Sequence, residues 1–194
     1  MIKFFISGCV LLLFISCNHK KNIDAKNYDT EIKSLFSKAQ KENYNTDYVI
    51  IVDYSIHSGL ERGFIIDKDH KLIKAFLLAH GSGSGTQNGK PIRFSNVDGS
   101  FASSLGLAVL DRRDYSSWGI KVKYWLQGLE ESNSNLKSRV VVLHSWEGIP
   151  DENIYPREIV ESQGCPTVSN NTMREIDALV KQQQNKKILI LFRV

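Results

Sequence analysis

Two segments, RVVVLHS at 139–145 and ESQGCPTVS at 161–169, decide how this chain is read. The first is a short β-branched run ending in a histidine, the pattern of a buried strand as it leaves a sheet. The second sets Cys165 between Gly164 and Pro166. Gly164 can adopt φ > 0 and leaves its amide open to approach. Pro166 pushes Cys165 toward an extended backbone and has no N–H of its own. A thiol constrained on such a turn, with an imidazole held at a strand end, suits a cysteine nucleophile and its base. The Gly164 and Cys165 amides are then candidate oxyanion donors. A thiol poised in this way is expected to ionise below the ordinary value of about 8.5.

Outward from these segments the texture is that of short strands. DYVIIVDYS, RGFIIDKD, KLIKAFLLAHG, LGLAVL, IKVKYWL and KILILFRV are rich in β-branched and aromatic residues, and Gly, Asn, Asp and Ser clusters punctuate them. DKDH at 67–70 separates two runs at hairpin length. Two segments carry helical periodicity. DTEIKSLFSKAQKEN places Ile32, Leu35, Phe36 and Ala39 on one face, with a cap expected at Asp29 or Thr30. NNTMREIDALVKQQQ does the same with Met173, Ile176, Leu179 and Val180, and Thr172 with Glu175 has capping-box spacing. The expectation is a single, mainly β domain over 29–194 with a helix near each end.

The first residues read as an address. Lys3 followed by the uncharged apolar run Phe4 to Ile15 is too short to span a bilayer, which takes roughly 20 apolar residues, but suits a signal-peptide core over residues 1–16. Ser16-Cys17 resembles a bacterial lipobox, which implies acylation of Cys17 and a polar tether over 17–28. A membrane contact through that lipid, in the cell envelope, follows as an expectation. Of three cysteines, Cys9 falls in the leader and Cys17 under the lipid, which leaves Cys165 as a lone thiol. The formal charge of +4 is too small to argue for a nucleic-acid partner.

Five histidines are available. His19 lies in the tether, His57 and His70 in polar turns, and His80 and His144 at strand ends. VVVLHS followed by SQGCPTV resembles the L,D-transpeptidase catalytic domain of the YkuD-like fold, in particular the murein branch whose motif ends in G-C-P. AHGSGSG (79–85), RFSNVDGSFASSLGLAVL (93–110), LQGLEESNSN (126–135) and SRVVVLH (138–144) agree with that branch in the same order. The resemblance implies a β-sandwich or barrel and acyl transfer on peptidoglycan stem peptides, the donor and the amine acceptor. Cys165 is implied as nucleophile and His144 as base, with no cofactor and no metal. Gly164, Ser162 and Ser145 are implied as oxyanion or orienting groups, with a backbone carbonyl as an alternative orienter. His80, Ser84, Asn96 and Ser104 are implied as substrate-side residues. Two positions depart from the pattern: Ser145 replaces the glycine after the histidine, and Glu161 replaces an arginine before Ser162. Other readings are an L,D-carboxypeptidase on the same stem, a wall-binding lipoprotein without activity, and a metal site of His80, His144 and Cys165. The last lacks any short ligand spacing.

Overall fold

A computed structural model describes residues 25–182 and 186–194. The expected signal peptide and Cys17 lie outside the described residues. A 3-10 turn over Ala25–Tyr28 leads into helix α1, Asp29–Lys41. The strands are β1 (Tyr48–Asp53), β2 (Gly63–Asp67), β3 (Leu72–Phe76), β4 (Leu78–Ala79), β5 (Thr86–Gln87), β6 (Lys90–Pro91), β7 (Gly106–Tyr115), β8 (Val122–Gly128), β9 (Val142–Ser145) and β10 (Thr167–Val168). Helix α2, Asn170–Gln182, and strand β11, Leu189–Arg193, complete the domain.

Nine strands form one sheet in the order β3-β2-β1-β11-β7-β8-β9-β10-β4, and β5 and β6 make a separate ribbon. The two edges, β3 and β4, are consecutive in the chain with only Leu77 between them. One residue spans about 3.5 Å, so the edges must lie side by side and the sheet must curl into a nearly closed, barrel-like wall. The interior confirms the curl. Phe76 and Leu78 from the two edges share one core with Ile50, Leu110, Tyr124, Leu126, Leu143, Val168 and Ile190, and Met173, Ile176 and Val180 of α2 pack into it. A second core lies on the opposite face of β1, where Val49, Ile51, Phe64 and Ile66 meet Ile32, Leu35 and Ala39 of α1. Covered on both faces, β1 reads as an unbroken apolar run. In β8 only one face is covered, so Val122, Tyr124 and Leu126 are buried while Lys123 and Trp125 are half-exposed.

The sequence expectation of a mainly β domain with a helix near each end holds, and local details differ. KLIKAFLLAHG, read as one run, divides at Leu77 into the two edge strands. The cap of α1 is neither Asp29 nor Thr30: the helix follows directly from Tyr28, whose ring is buried and whose hydroxyl donates to Asp53 at 3.0 Å. Ser169 rather than Thr172 caps α2, because its hydroxyl accepts the Thr172 amide at 3.1 Å. The DKDH hairpin forms as read, with the Asp67 carboxylate accepting the Asp69 and Lys71 amides at 2.9 Å each.

Asp177 pins α2 to the sheet. Its carboxylate accepts from Arg113 Nε at 2.6 Å, from the Tyr124 hydroxyl at 2.8 Å and from Lys181 Nζ at 2.7 Å. These donors hold its pKa down at about 2 against the opposing effect of burial. A depressed carboxylate stabilises the fold above its unfolded pKa of about 4 and loses that contribution as pH falls toward about 2. Asp177→Asn is therefore expected to cost about 1–2 kcal/mol near neutral pH. It should also flatten the acid limb between those two pH values in thermal melts.

Candidate active site

Closure of the sheet sets the cysteine turn against the segment after β4. Ser162 donates its amide to the His80 carbonyl at 2.8 Å, and its own carbonyl accepts the Ser82 amide at 2.8 Å. Gly164 sits at φ 104°, a left-handed conformation that side chains rarely adopt. Gly81 packs so closely that a Cβ there would run into the Phe101 carbonyl and the Gly164 backbone. Within the turn the Ser162 hydroxyl donates to the Cys165 carbonyl at 2.6 Å and accepts the Gly164 amide at 3.2 Å. Ser162 thus holds the loop shut. It also commits the Gly164 amide, one of the two expected oxyanion donors, to an internal bond. The Cys165 amide has no acceptor among the described residues.

His144 lies directly across from Thr167 in the parallel β9–β10 pair. Its Nδ1 is 3.1 Å from the Ser145 carbonyl, which can only accept, so Nδ1 carries the proton. Nε2 is then the basic nitrogen and lies 3.1 Å from the Thr167 hydroxyl, whose one proton is shared between Nε2 and the Cys165 carbonyl at 3.2 Å. Of the candidate orienters, the backbone carbonyl of Ser145 holds the ring. The Ser145 hydroxyl instead accepts the Ile120 amide at 3.1 Å. Burial pushes the imidazole pKa down and the Lys123 charge adds to this, while the Ser145 carbonyl opposes both.

The Cys165 thiol is half-buried and contacts the Val140 carbonyl, 3.9 Å from Sγ. Burial raises its pKa, against the Val142 amide and the charges of Arg139 and Lys123. Both shifts favour the neutral forms of thiol and imidazole. This is opposite in direction to the depressed thiol that the sequence suggested. Val140 has φ 59°, an outlier for a β-branched residue.

Arg139, which sequence reasoning passed over, frames this corner. Its Nη1 donates to the Ser95 carbonyl and the Ser104 hydroxyl, both at 2.7 Å. Its Nη2 donates to the Ala102 carbonyl at 2.8 Å and the Ser100 hydroxyl at 3.1 Å. The four bonds fix the backbone on both sides of Phe101, which is exposed and has φ 51°. The Phe101–Ala102 backbone lies close against Gly164. Sequence offered one signal, a charged residue opening an otherwise apolar strand.

The other expected residues serve this frame. Ser104 is an Arg139 partner, and its hydroxyl donates to the Ser95 carbonyl at 2.8 Å. Ser84 is buried and accepts the Ser103 amide at 3.0 Å. Asn96 binds the Glu131 carbonyl and the Asn135 amide, tying two loops together. His80 is buried, and its side-chain partners are Arg62 and Thr86 rather than His144 or Cys165. Its Nδ1 accepts from Arg62 at 2.8 Å, and its Nε2 lies 2.9 Å from the Thr86 hydroxyl, which donates to Glu161 at 2.7 Å. Burial and the Arg62 charge hold the His80 pKa at about 4, so it is neutral near pH 7.

Replacing Arg139 separates its charge from its clamp. Arg139→Met is expected to push the Cys165 pKa further up and slow alkylation at neutral pH roughly threefold to tenfold. Arg139→Lys should keep the alkylation rate while lowering the melting temperature, because one ammonium cannot replace the four-bond fork.

The family model for the L,D-transpeptidase catalytic domain matches residues 19–190. No curated protein matches the chain. Among solved structures, the helical cell shape determining protein Pgp2 from Campylobacter jejuni is 13% identical, with a TM-score of 0.46 over 83% of this chain and 54% of its own. An L,D-transpeptidase from Xylanimonas cellulosilytica is 13% identical, with a TM-score of 0.40 over 80% of this chain and 68% of its own. One from Mycobacterium smegmatis is 8% identical, with a TM-score of 0.44 over 76% and 59%. This chain spans about half the length of the Pgp2 chain. On the family match, which takes in the β domain and both segments of the cysteine–histidine site, the chain belongs to the L,D-transpeptidase catalytic-domain family.

Proposed function

We propose that this protein is a cysteine-dependent L,D-transpeptidase that forms 3→3 cross-links between peptidoglycan stem peptides. What supports the reading is a thiol on a closed left-handed turn, two residues before the strand that pairs with His144, together with an imidazole whose Nδ1 proton is fixed by the Ser145 carbonyl. The thiol rests on the Val140 carbonyl, so the reaction requires it to leave that contact for the imidazole by rotation about its one side-chain torsion. As sulfur attacks the carbonyl before the terminal D-residue, His144 Nε2 takes the thiol proton. The Cys165 amide, which has no acceptor among the described residues, would receive the oxyanion. Collapse breaks the C–N bond, Nε2 returns the proton to the leaving amine, and a thioester remains. An acceptor amine then passes a proton to His144 and attacks the thioester, the C–S bond breaks, and Nε2 returns the proton to the departing sulfur. No group beyond these side chains is needed for the proton balance.

Residues 18–194, incubated with disaccharide-tetrapeptide and analysed by mass spectrometry, are expected to give dimers that have lost one terminal D-residue. Cys165→Ala should abolish them, and His144→Ala should lower the rate at least about a hundredfold. Tripeptide alone would identify an L,D-carboxypeptidase, with water as acceptor. No product, together with an unreactive thiol, would leave a wall-binding protein.

The enzyme would then work in the cell envelope, anchored through acylated Cys17. Metabolic labelling with a fatty-acid probe should mark the full-length chain and fail to mark Cys17→Ala, which should partition into the aqueous phase.

A further inference from the structure

One transverse row of side chains crosses the outer face of the sheet at the site. Asp114 of β7 lies opposite Lys123 of β8, Lys123 opposite His144 of β9, and His144 opposite Thr167 of β10. Opposite residues on neighbouring strands share a face, with Cβ atoms about 4.5–5.5 Å apart. Lys123 is therefore the immediate neighbour of His144 on the side away from Thr167 and the cysteine turn.

Lys123 forms no ion pair among the described residues. Asp114 faces it and feels its charge, but that carboxylate is hydrogen-bonded to Arg112 at 3.1 Å and to the Trp125 indole N–H at 3.0 Å, not to Lys123. The ammonium instead rests over the Trp125 ring, 5.1 Å from its centre. The other cation at the site, Arg139, has both terminal nitrogens occupied by loop acceptors. A half-buried cation beside a neutral base is electrostatically costly for that base, and the Lys123 charge does oppose protonation of His144. An anion arriving at Lys123 would relieve that opposition.

We propose that Lys123 is the subsite for the terminal carboxylate of the donor stem, the carboxylate of the D-residue that leaves. This rests on the transpeptidase reading and names a contact within it. The order along the row matches the order of groups in the substrate. The scissile carbonyl meets Cys165, the leaving amine meets His144, and the carboxylate one Cα beyond the amine falls on Lys123. The site thereby selects stems that end in a free carboxylate.

Thiol alkylation tests the cation without any peptide chemistry. Iodoacetate carries a carboxylate and iodoacetamide does not, so their rate ratio at Cys165 reads the local anion preference. Lys123→Met is expected to lower that ratio about fivefold or more, Lys123→Arg to retain it, and raised salt to shrink it in the wild type. Lys121→Met, two residues away, controls for general charge. A ratio unchanged in Lys123→Met, or lost equally in Lys121→Met, would overturn the proposal. In turnover assays, wild-type KM should rise when the stem ends in D-alaninamide, and Lys123→Met should not distinguish the two stems. If Cys165→Ala abolishes turnover while Lys123→Met still discriminates, this subsite falls and the transpeptidase reading stands. If the protein shows no turnover but keeps a Lys123-dependent alkylation ratio, the anion subsite stands and the transpeptidase reading falls.

Discussion

The single residue between β3 and β4 governs the rest of this structure. Because Leu77 alone joins the two edges, the sheet has no freedom to lie open, and β4 must pair with β10. That pairing carries the chain after β4 past the cysteine turn, where the bonds between 80–82 and Ser162 lock the two together. The thiol is thus placed by a long-range topological condition as much as by its own loop. A mainly β fold of this kind gains its site only once distant strands have met.

Strain at the site is offset by polar clamps a short distance away. Val140 and Phe101 both hold φ > 0, and both flank the cysteine turn. Arg139 precedes the first and binds the Ser100 hydroxyl and the Ala102 carbonyl on either side of the second. Unfavourable torsions persist where surrounding bonds over-determine them, and here one guanidinium supplies four such bonds. Its charge also acts on the sulfur, so the same side chain shapes the wall and tunes the thiol.

Much of this is legible in the sequence, for reasons that can be named. Period and composition expose both helices and the longer strands, since each buries a continuous face against the core, whereas the two-residue strands β5, β6 and β10 are too short to carry a period. Cys165 and His144 stand out because their local backbones are constrained by Gly164, Pro166 and a strand end. What stays hidden depends on partners far along the chain. Nothing local divides KLIKAFLLAHG between opposite edges, because either half is an acceptable strand. Arg139 gives little warning because its acceptors, two carbonyls and two serine hydroxyls, lie some forty residues earlier. The choice of the Ser145 carbonyl over its hydroxyl, and the loss of the Gly164 amide to Ser162, turn on orientations that no spacing encodes.

Arg62 gives one rim position an unusual status. The guanidinium is fully buried without a direct carboxylate partner among the described residues, lies over the Tyr54 ring, and keeps a pKa of about 10, so it remains charged. Its charge passes through neutral His80 and the Thr86 hydroxyl to Glu161, the partly exposed carboxylate that stands where the family pattern has an arginine. Glu161 therefore looks like a surface residue but answers to the interior. An arginine cannot simply return there, because it would place a second cation at the end of a chain that already carries one. Positions 62 and 161 are expected to vary together among related sequences, as a charge pair that never touches.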